Sequence, residues 1–175
     1  MPAIINITFE EKKWLKIDLK KISKKAFRST FKILEHSKNF NSLEVSILAC
    51  NDQIIKNYNK KFRGNNKATN VLSWPRIENI YYNDIRLKKD ISFLINKQES
   101  TLDIGDIAIS YDTCFRESMK LNICFEDHVI HMLIHSCLHL LGFDHNKLSE
   151  FKIMKDLEIK SLKECGINNP YNQLL

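Results

Sequence analysis

Hydrophobic and polar positions alternate at the start of the chain, and this two-residue period predicts a strand over Ala3 to Phe9. From Glu11 to about His36 the period lengthens. Leu15, Leu19, Ile22, Ala26 and Ile33 recur on one side, which predicts a helix. Leu43 to Cys50 predicts a second strand, and Asp52 is the candidate N-cap of a short helix running to about Lys61. Gly64 and the Asn65–Asn66 pair break that helix. A third strand is expected over Ala68 to Trp74, stopped by Pro75, and a fourth over Gly105 to Ser110. Between them, residues 76–103 hold no sustained period and read as a long loop or hairpin excursion, with Ile91 to Ile95 a candidate added strand. Helices are expected at Tyr111 to Leu121, Glu126 to Leu141 and Leu148 to about Cys165, with a turn at Asn122 to Phe125. Strands and helices alternate early and helices dominate late, which predicts an α+β fold with one sheet covered by helices. The pattern gives a single domain over 1–165 and a loosely ordered tail over 166–175.

Composition narrows this little. The 175 residues suit one compact domain, and 43% hydrophobic with 27% charged residues is ordinary for a globular protein. Few glycines and prolines exclude collagen-like or Pro-rich disordered chains. No apolar run reaches the roughly 18–20 residues needed to span a bilayer, and the N-terminus lacks a signal-peptide pattern. Five scattered cysteines, without a C-x-x-C, predict reduced thiols, no disulfide partner and a cytoplasmic protein. The net charge of +6 permits a polyanionic partner without requiring one. It is uneven: residues 1–67 carry a balance of +9 and residues 68–175 a balance of −3.

The histidines change the picture. His128, His131, His135 and His139 fall within about 80° of one another on a helix. His135 and His139, at i and i+4, can meet one ion. His131 is about 12 Å along the axis from His139, too far for three ligands on one straight helix. A third ligand therefore needs chain that turns back. Gly142 supplies the stop, since a residue without Cβ enters the left-handed region at little cost, and His145 follows it. The pattern H-x-x-x-H-x-x-G-x-x-H would leave one position open on Zn²⁺, as in a catalytic site. His36 stands apart and reads as a packed or surface residue. His128 and His131 read as supporting groups, a proton shuttle or surface residues. Asp144 either orients a ligand histidine or caps the turn. Cys137 lies opposite His139 and points to the core. The same spacing occurs in the metzincin proteases, whose general-base Glu follows the first histidine. Here that position is Ser136, which disfavours peptide hydrolysis.

The run from His135 to His145, HSCLHLLGFDH, resembles the signature of the YbeY endoribonuclease family, H-G-x-L-H-L-x-G-Y/F-D-H. Asn59 to Gly64 resembles that family's N-x-x-F-R segment. Thr69 to Pro75 resembles its T-D/N-V-L-S-F-P segment, and Gly105 to Ser110 its G-D-I-x-I-S strand. The likeness runs from about Asn57 to His145. Ser136 stands where the family has glycine, Trp74 where it has phenylalanine and Ile104 where it has leucine. The segment between Pro75 and Gly105 is longer than the family's. The resemblance implies a four-stranded mixed sheet with about five helices and a zincin-like metal site at the C-terminal end of a central helix. It implies one Zn²⁺ per chain on His135, His139 and His145, with His131, Asp144 and Ser136 nearby. The implied activity is single-strand-specific RNA cleavage in 16S rRNA 3′-end maturation and ribosome quality control, with the small ribosomal subunit as partner.

Zinc on three imidazoles lowers the pKa of its water to about 7, which provides a nucleophile without a carboxylate base. Attack by the RNA 2′-OH is the other route, and the residues do not choose between them. Arg63, in the family-like segment, is the candidate clamp on the phosphate oxygens. A ribosome-assembly RNA-binding factor with a mainly structural zinc is the alternative reading. The cations stepping by four from Lys12 to Lys32 are expected to wind around their helix, which assigns much of that charge to solvation. Lys56, Lys60, Lys61, Arg63 and Lys67 form the more pointed basic group, expected on the RNA backbone with steeply salt-dependent affinity.

Overall fold

A computed structural model describes residues 3–34, 42–76 and 101–173. His36 and the candidate strand Ile91 to Ile95 lie outside the described residues. Four strands, β1 (Ala3–Phe9), β2 (Ser42–Cys50), β3 (Val71–Pro75) and β4 (Thr101–Ser110), form one sheet in the order β1-β2-β4-β3. β1 and β4 both run parallel to β2, and β3 runs antiparallel to β4. Five helices accompany them: α1 (Leu19–Ile33), α2 (Asp52–Arg63), α3 (Tyr111–Leu121), α4 (Phe125–Leu140) and α5 (Leu148–Glu164). No helix among the described residues is long and apolar enough to cross a membrane. All five cysteines are free thiols, four of them buried and Cys124 exposed.

The main core lies between one face of the sheet and helices α1, α4 and α5. Ile5, Val45, Ile47, Val71, Ile107 and Ile109 of the sheet meet Phe27, Phe31, Leu133, Ile134 and Cys137 of the helices. Cys137 is buried in this core as its helical phase predicts. The opposite face carries a smaller cluster of Cys50, Ile55, Leu72 and Ala108, covered by α2. The alternation of side chains along β3 and β4 separates the two: Val71 and Ile109 face one way, Leu72 and Ala108 the other.

Several boundaries differ from the sequence pattern. The helix expected from Glu11 is two elements. Lys12–Lys16 is a 3-10 turn, Ile17 is extended, and α1 starts at Leu19 with Asp18 as its N-cap, accepting from the Lys21 amide. Trp14 explains the break, for its ring is fully buried and donates to the Cys50 carbonyl at 2.9 Å. Lys12 and Lys16 therefore do not belong to α1. The six cations that do, Lys20, Lys21, Lys24, Lys25, Arg28 and Lys32, lie within an arc of about 140° rather than winding around it. Asn51, not Asp52, caps α2 by accepting from the Ile54 amide. Asp52 instead accepts from Ser110 Oγ at 2.6 Å, Thr113 Oγ1 at 2.6 Å and Arg116 at 2.7 Å.

β4 begins at Thr101, four residues before the expected start. Gly105 does not break it, because Ile104 and Gly105 together face the single residue Val45 in a β-bulge. Gly105 adopts φ +122°, and a Cβ there would lie 2.2 Å from the Trp74 carbonyl oxygen. The tail expected to be loose packs back. Ile167 joins the core, residues Pro170–Gln173 form a 3-10 turn, and Tyr171 hydrogen-bonds Glu158.

Two outcomes follow. Gly105→Ala is expected to lower unfolding stability by about 2 kcal/mol or more, read by urea denaturation. The Asp52 carboxyl offers a pH signature. Burial alone would raise its pKa, but the hydrogen bonds from Ser110, Thr113 and Arg116 outweigh it and hold it below the ordinary value. Its contribution is present above the unfolded value of about 4 and lost as pH falls through the folded one. Asp52→Asn protein should therefore be less stable at neutral pH, and its stability should fall less steeply on acidification.

Candidate metal centre

α4 is buried on nearly every side and positions most of the site. It ends at a left-handed glycine, Gly142, with φ +88°. The Gly142 amide donates to the His139 carbonyl and the Phe143 amide to the Leu138 carbonyl, both at 3.0 Å. This pair of bonds is a Schellman stop, and it turns the chain so that His145 comes back beside the helix end. The ring centroids of His145 lie 5.5 Å from His135 and 5.0 Å from His139, and those of His135 and His139 are 4.5 Å apart. One ring nitrogen from each of the three lies within 4.8 Å of the others.

The tautomers of two rings are set by what holds their far nitrogens. His135 Nδ1–H donates to Glu158 Oε1 at 2.7 Å, and His139 Nδ1–H donates to the Phe143 carbonyl at 3.0 Å. Both Nε2 lone pairs then point at one place, 3.1 Å apart. Two lone pairs at that distance repel unless a cation or a proton lies between them. Two imidazole nitrogens on one tetrahedral zinc, each at its usual bond length, stand about 3.4 Å apart. The residues present therefore fit a divalent ion with three imidazole ligands. Burial, with His135 and His145 nearby, pushes the His139 imidazole down to about 4, so it is neutral at pH 7 and free to ligate. His145 is exposed, leaving the site open to solvent on that side.

Glu158 was not legible in the sequence. It is 2% exposed, on α5, and accepts from His135, from His131 at 3.2 Å and from the Tyr171 hydroxyl. Burial would raise its pKa, but the bonds from His131 and His135 dominate and hold it well below the usual carboxylate range. His131 is thus a supporting group reached through Glu158. His128 is buried rather than on the surface, and its Nε2–H donates to Glu117 at 2.8 Å. Glu117 also accepts from Asn70 of the family-like strand segment. Asp144 caps the turn, accepting from the His145 amide and the Asn146 side chain. Ser136 is fully buried, and its hydroxyl has no partner among the described residues. It is placed to pack, not to serve as a base.

The basic group is less unified than the sequence suggests. Lys56, Lys60 and Arg63 share about 60° of arc on α2, while Lys61 sits roughly 100° off beside Phe62. Lys67 follows in a loop that Asn59 holds by donating to the Lys67 carbonyl at 2.8 Å. α2 and α4 pack on opposite faces of the sheet, and among the described residues no hydrogen bond or ion pair joins Arg63 to the three histidines.

Losing the buried negative charge behind His135 should cost metal affinity. Glu158→Gln is expected to weaken metal binding about 10- to 100-fold, with the three imidazoles still present, as read by competition with a chromophoric chelator.

Comparison with known proteins identifies the family. Residues 6–166 match the family described as Endoribonuclease YbeY. Endoribonuclease YbeY of a Ruegeria species is 37% identical over 170 residues, covering 96% of each chain. Endoribonuclease YbeY of Paracoccus denitrificans is 34% identical over 171 residues, covering 98% of this chain and 91% of that one. The solution structure of TM1509 from Thermotoga maritima shares the fold, with a TM-score of 0.52 at 21% identity over 93% of this chain and 92% of that one. The chain belongs to the YbeY endoribonuclease family.

Proposed function

We propose that this chain is a zinc-dependent, single-strand-specific endoribonuclease of the cytoplasm. Its substrate is the 3′ end of 16S rRNA on the small ribosomal subunit, in maturation and ribosome quality control. One observation carries the reading: three imidazoles converge on one point, two of them with their tautomers fixed, in a chain of this family. His135, His139 and His145 would hold the ion. When bound, it supplies Lewis acidity toward water and phosphate oxygens.

The protein's own groups do the rest. Glu158 aims His135, the Phe143 carbonyl aims His139, and the Gly142 turn delivers His145. A guanidinium grips two non-bridging phosphate oxygens at once, and Arg63 takes that role on a phosphate of the bound strand, from the α2 side of the sheet. Lys56, Lys60, Lys61 and Lys67 meet the backbone of the strand. The exposed His145 favours an accessible ion over an occluded structural one. Buried Ser136 supports the exclusion of peptide hydrolysis.

Purified protein incubated with a single-stranded rRNA fragment should cleave it, and chelator should abolish the cleavage. His139→Ala is expected to lower the rate by at least about a hundredfold. Undiminished cleavage by the folded variant, with RNA binding intact, would overturn the proposal.

A further inference from the structure

Three aromatic rings outside the metal centre stand partly in solvent. Tyr58 and Phe62 of α2 stack nearly parallel, with centroids 6.1 Å apart and planes 6° apart. Trp74 of β3 meets both nearly edge-on, at 5.9 Å from Tyr58 and 5.5 Å from Phe62. Phe62 is 54% exposed and Tyr58 37%. They border a groove of about 460 Å³ that runs over the face of the sheet away from the main core, past Leu48, Ser46 and Thr8. The small cluster around Ile55 and Leu72 lies buried beneath α2, and the aromatic trio continues that apolar layer outward. The patch is continuous rather than one exposed ring, and three neighbouring aromatics beside an apolar groove make the kind of surface that marks a binding site.

The charge around the groove says which ligand. After Asp52, α2 carries no acid, and its last turn holds Lys60, Lys61 and Arg63. Lys61 Nζ lies 5.3 Å from the centre of the Phe62 ring. The acid on the groove, Asp106, is engaged by Arg76 at 3.6 Å. Planar apolar faces beside cations suit a polyanion with exposed flat groups. Single-stranded RNA is such a polymer, because its bases can splay out and stack while its phosphates meet lysine and arginine. A duplex keeps its bases stacked inside and has nothing to offer the rings.

We infer that Tyr58, Phe62 and Trp74 form a stacking platform for the unpaired bases of single-stranded RNA, on the far side of the sheet from the histidines. The inference rests on the RNA-cleaving reading and adds where the strand is held. It gives a physical source for single-strand preference that needs no base-edge recognition.

The full-length protein, with chelator present to prevent cleavage, is titrated with a short labelled oligoadenylate and followed by fluorescence anisotropy. Phe62→Ala should weaken binding about tenfold and leave the salt dependence unchanged, since stacking releases no counterions. Phe62→Tyr should restore the affinity and Phe62→Leu should not. Lys61→Ala should instead make the salt dependence shallower. Binding should also quench the tryptophan emission, which reports Trp74 because Trp14 is sealed in the core. Equal affinity for wild-type and Phe62→Ala protein would overturn the platform while leaving the RNA reading standing. Full rescue by Phe62→Leu would also overturn it, pointing to an apolar peptide. Absence of any binding by the wild-type protein would remove both. Phe62 is exposed, so its variants should melt with the wild type, as circular dichroism will check.

Discussion

A carboxylate taken almost wholly out of water must collect hydrogen-bond donors or give up its charge. Glu158 collects them from His131 and His135 on α4 and from Tyr171 in the C-terminal segment. It therefore sets three things at once: the angle of the His135 imidazole in the histidine cluster, the docking of α5 on α4, and the return of the chain end. The other fixed ring is set by backbone alone. The Schellman turn at Gly142 exposes the Phe143 carbonyl that His139 needs, so one local event both ends the helix and orients its last histidine. Two unrelated devices thus hold the two i, i+4 imidazoles in matching tautomers. Such outer partners are what keep ligands aimed when no ion is bound.

The sheet divides the molecule's work. One face carries the thick core with α1 and α4, and hence the histidines; the other carries α2 and the aromatic groove. Polar bridges tie the elements together where the sheet ends. Asp52 at the start of α2 gathers Ser110, Thr113 and Arg116, while Asn70 at the start of β3 reaches Glu117, which in turn holds His128. Several residues of the family-like segments make polar ties of this kind and lie outside the histidine cluster. Asn59, Asn70 and Ser110 are of this kind.

What could be read from the sequence follows how local each cause is. The strand Ala3–Phe9, the histidine helix, its glycine stop and the returning His145 are written within short stretches, and all were legible. Glu158 was not. It sits in a helix rich in charged residues, where Asp156 and Glu164 look the same in one dimension, and only packing against α4 separates it from them. The break before α1 was hidden because Leu15 continues the helical period, while the need to bury Trp14 against Cys50 is a tertiary demand. Asn51 and Asp52 are equally able caps by type, and the contest was decided by Ser110 and Thr113, some 60 residues away. Gly105 read as a boundary because a bulge inside a strand leaves the same mark as a turn.

The pairing of β3 with β4 bears on what a change of chain length can disturb. Pro75 lies opposite Gly105, and the Arg76 amide donates to the Ile104 carbonyl at 3.1 Å, so the end of β3 is fixed against the middle of β4, whose first residues pair with β2. Arg76 and Thr101 are thereby held by the sheet, and the four strands keep their register through pairings that involve none of residues 77–100. A change of length between Arg76 and Thr101 therefore removes none of these pairings. The sheet, and the histidine helix packed on it, are thus insulated from the length of chain that joins β3 to β4.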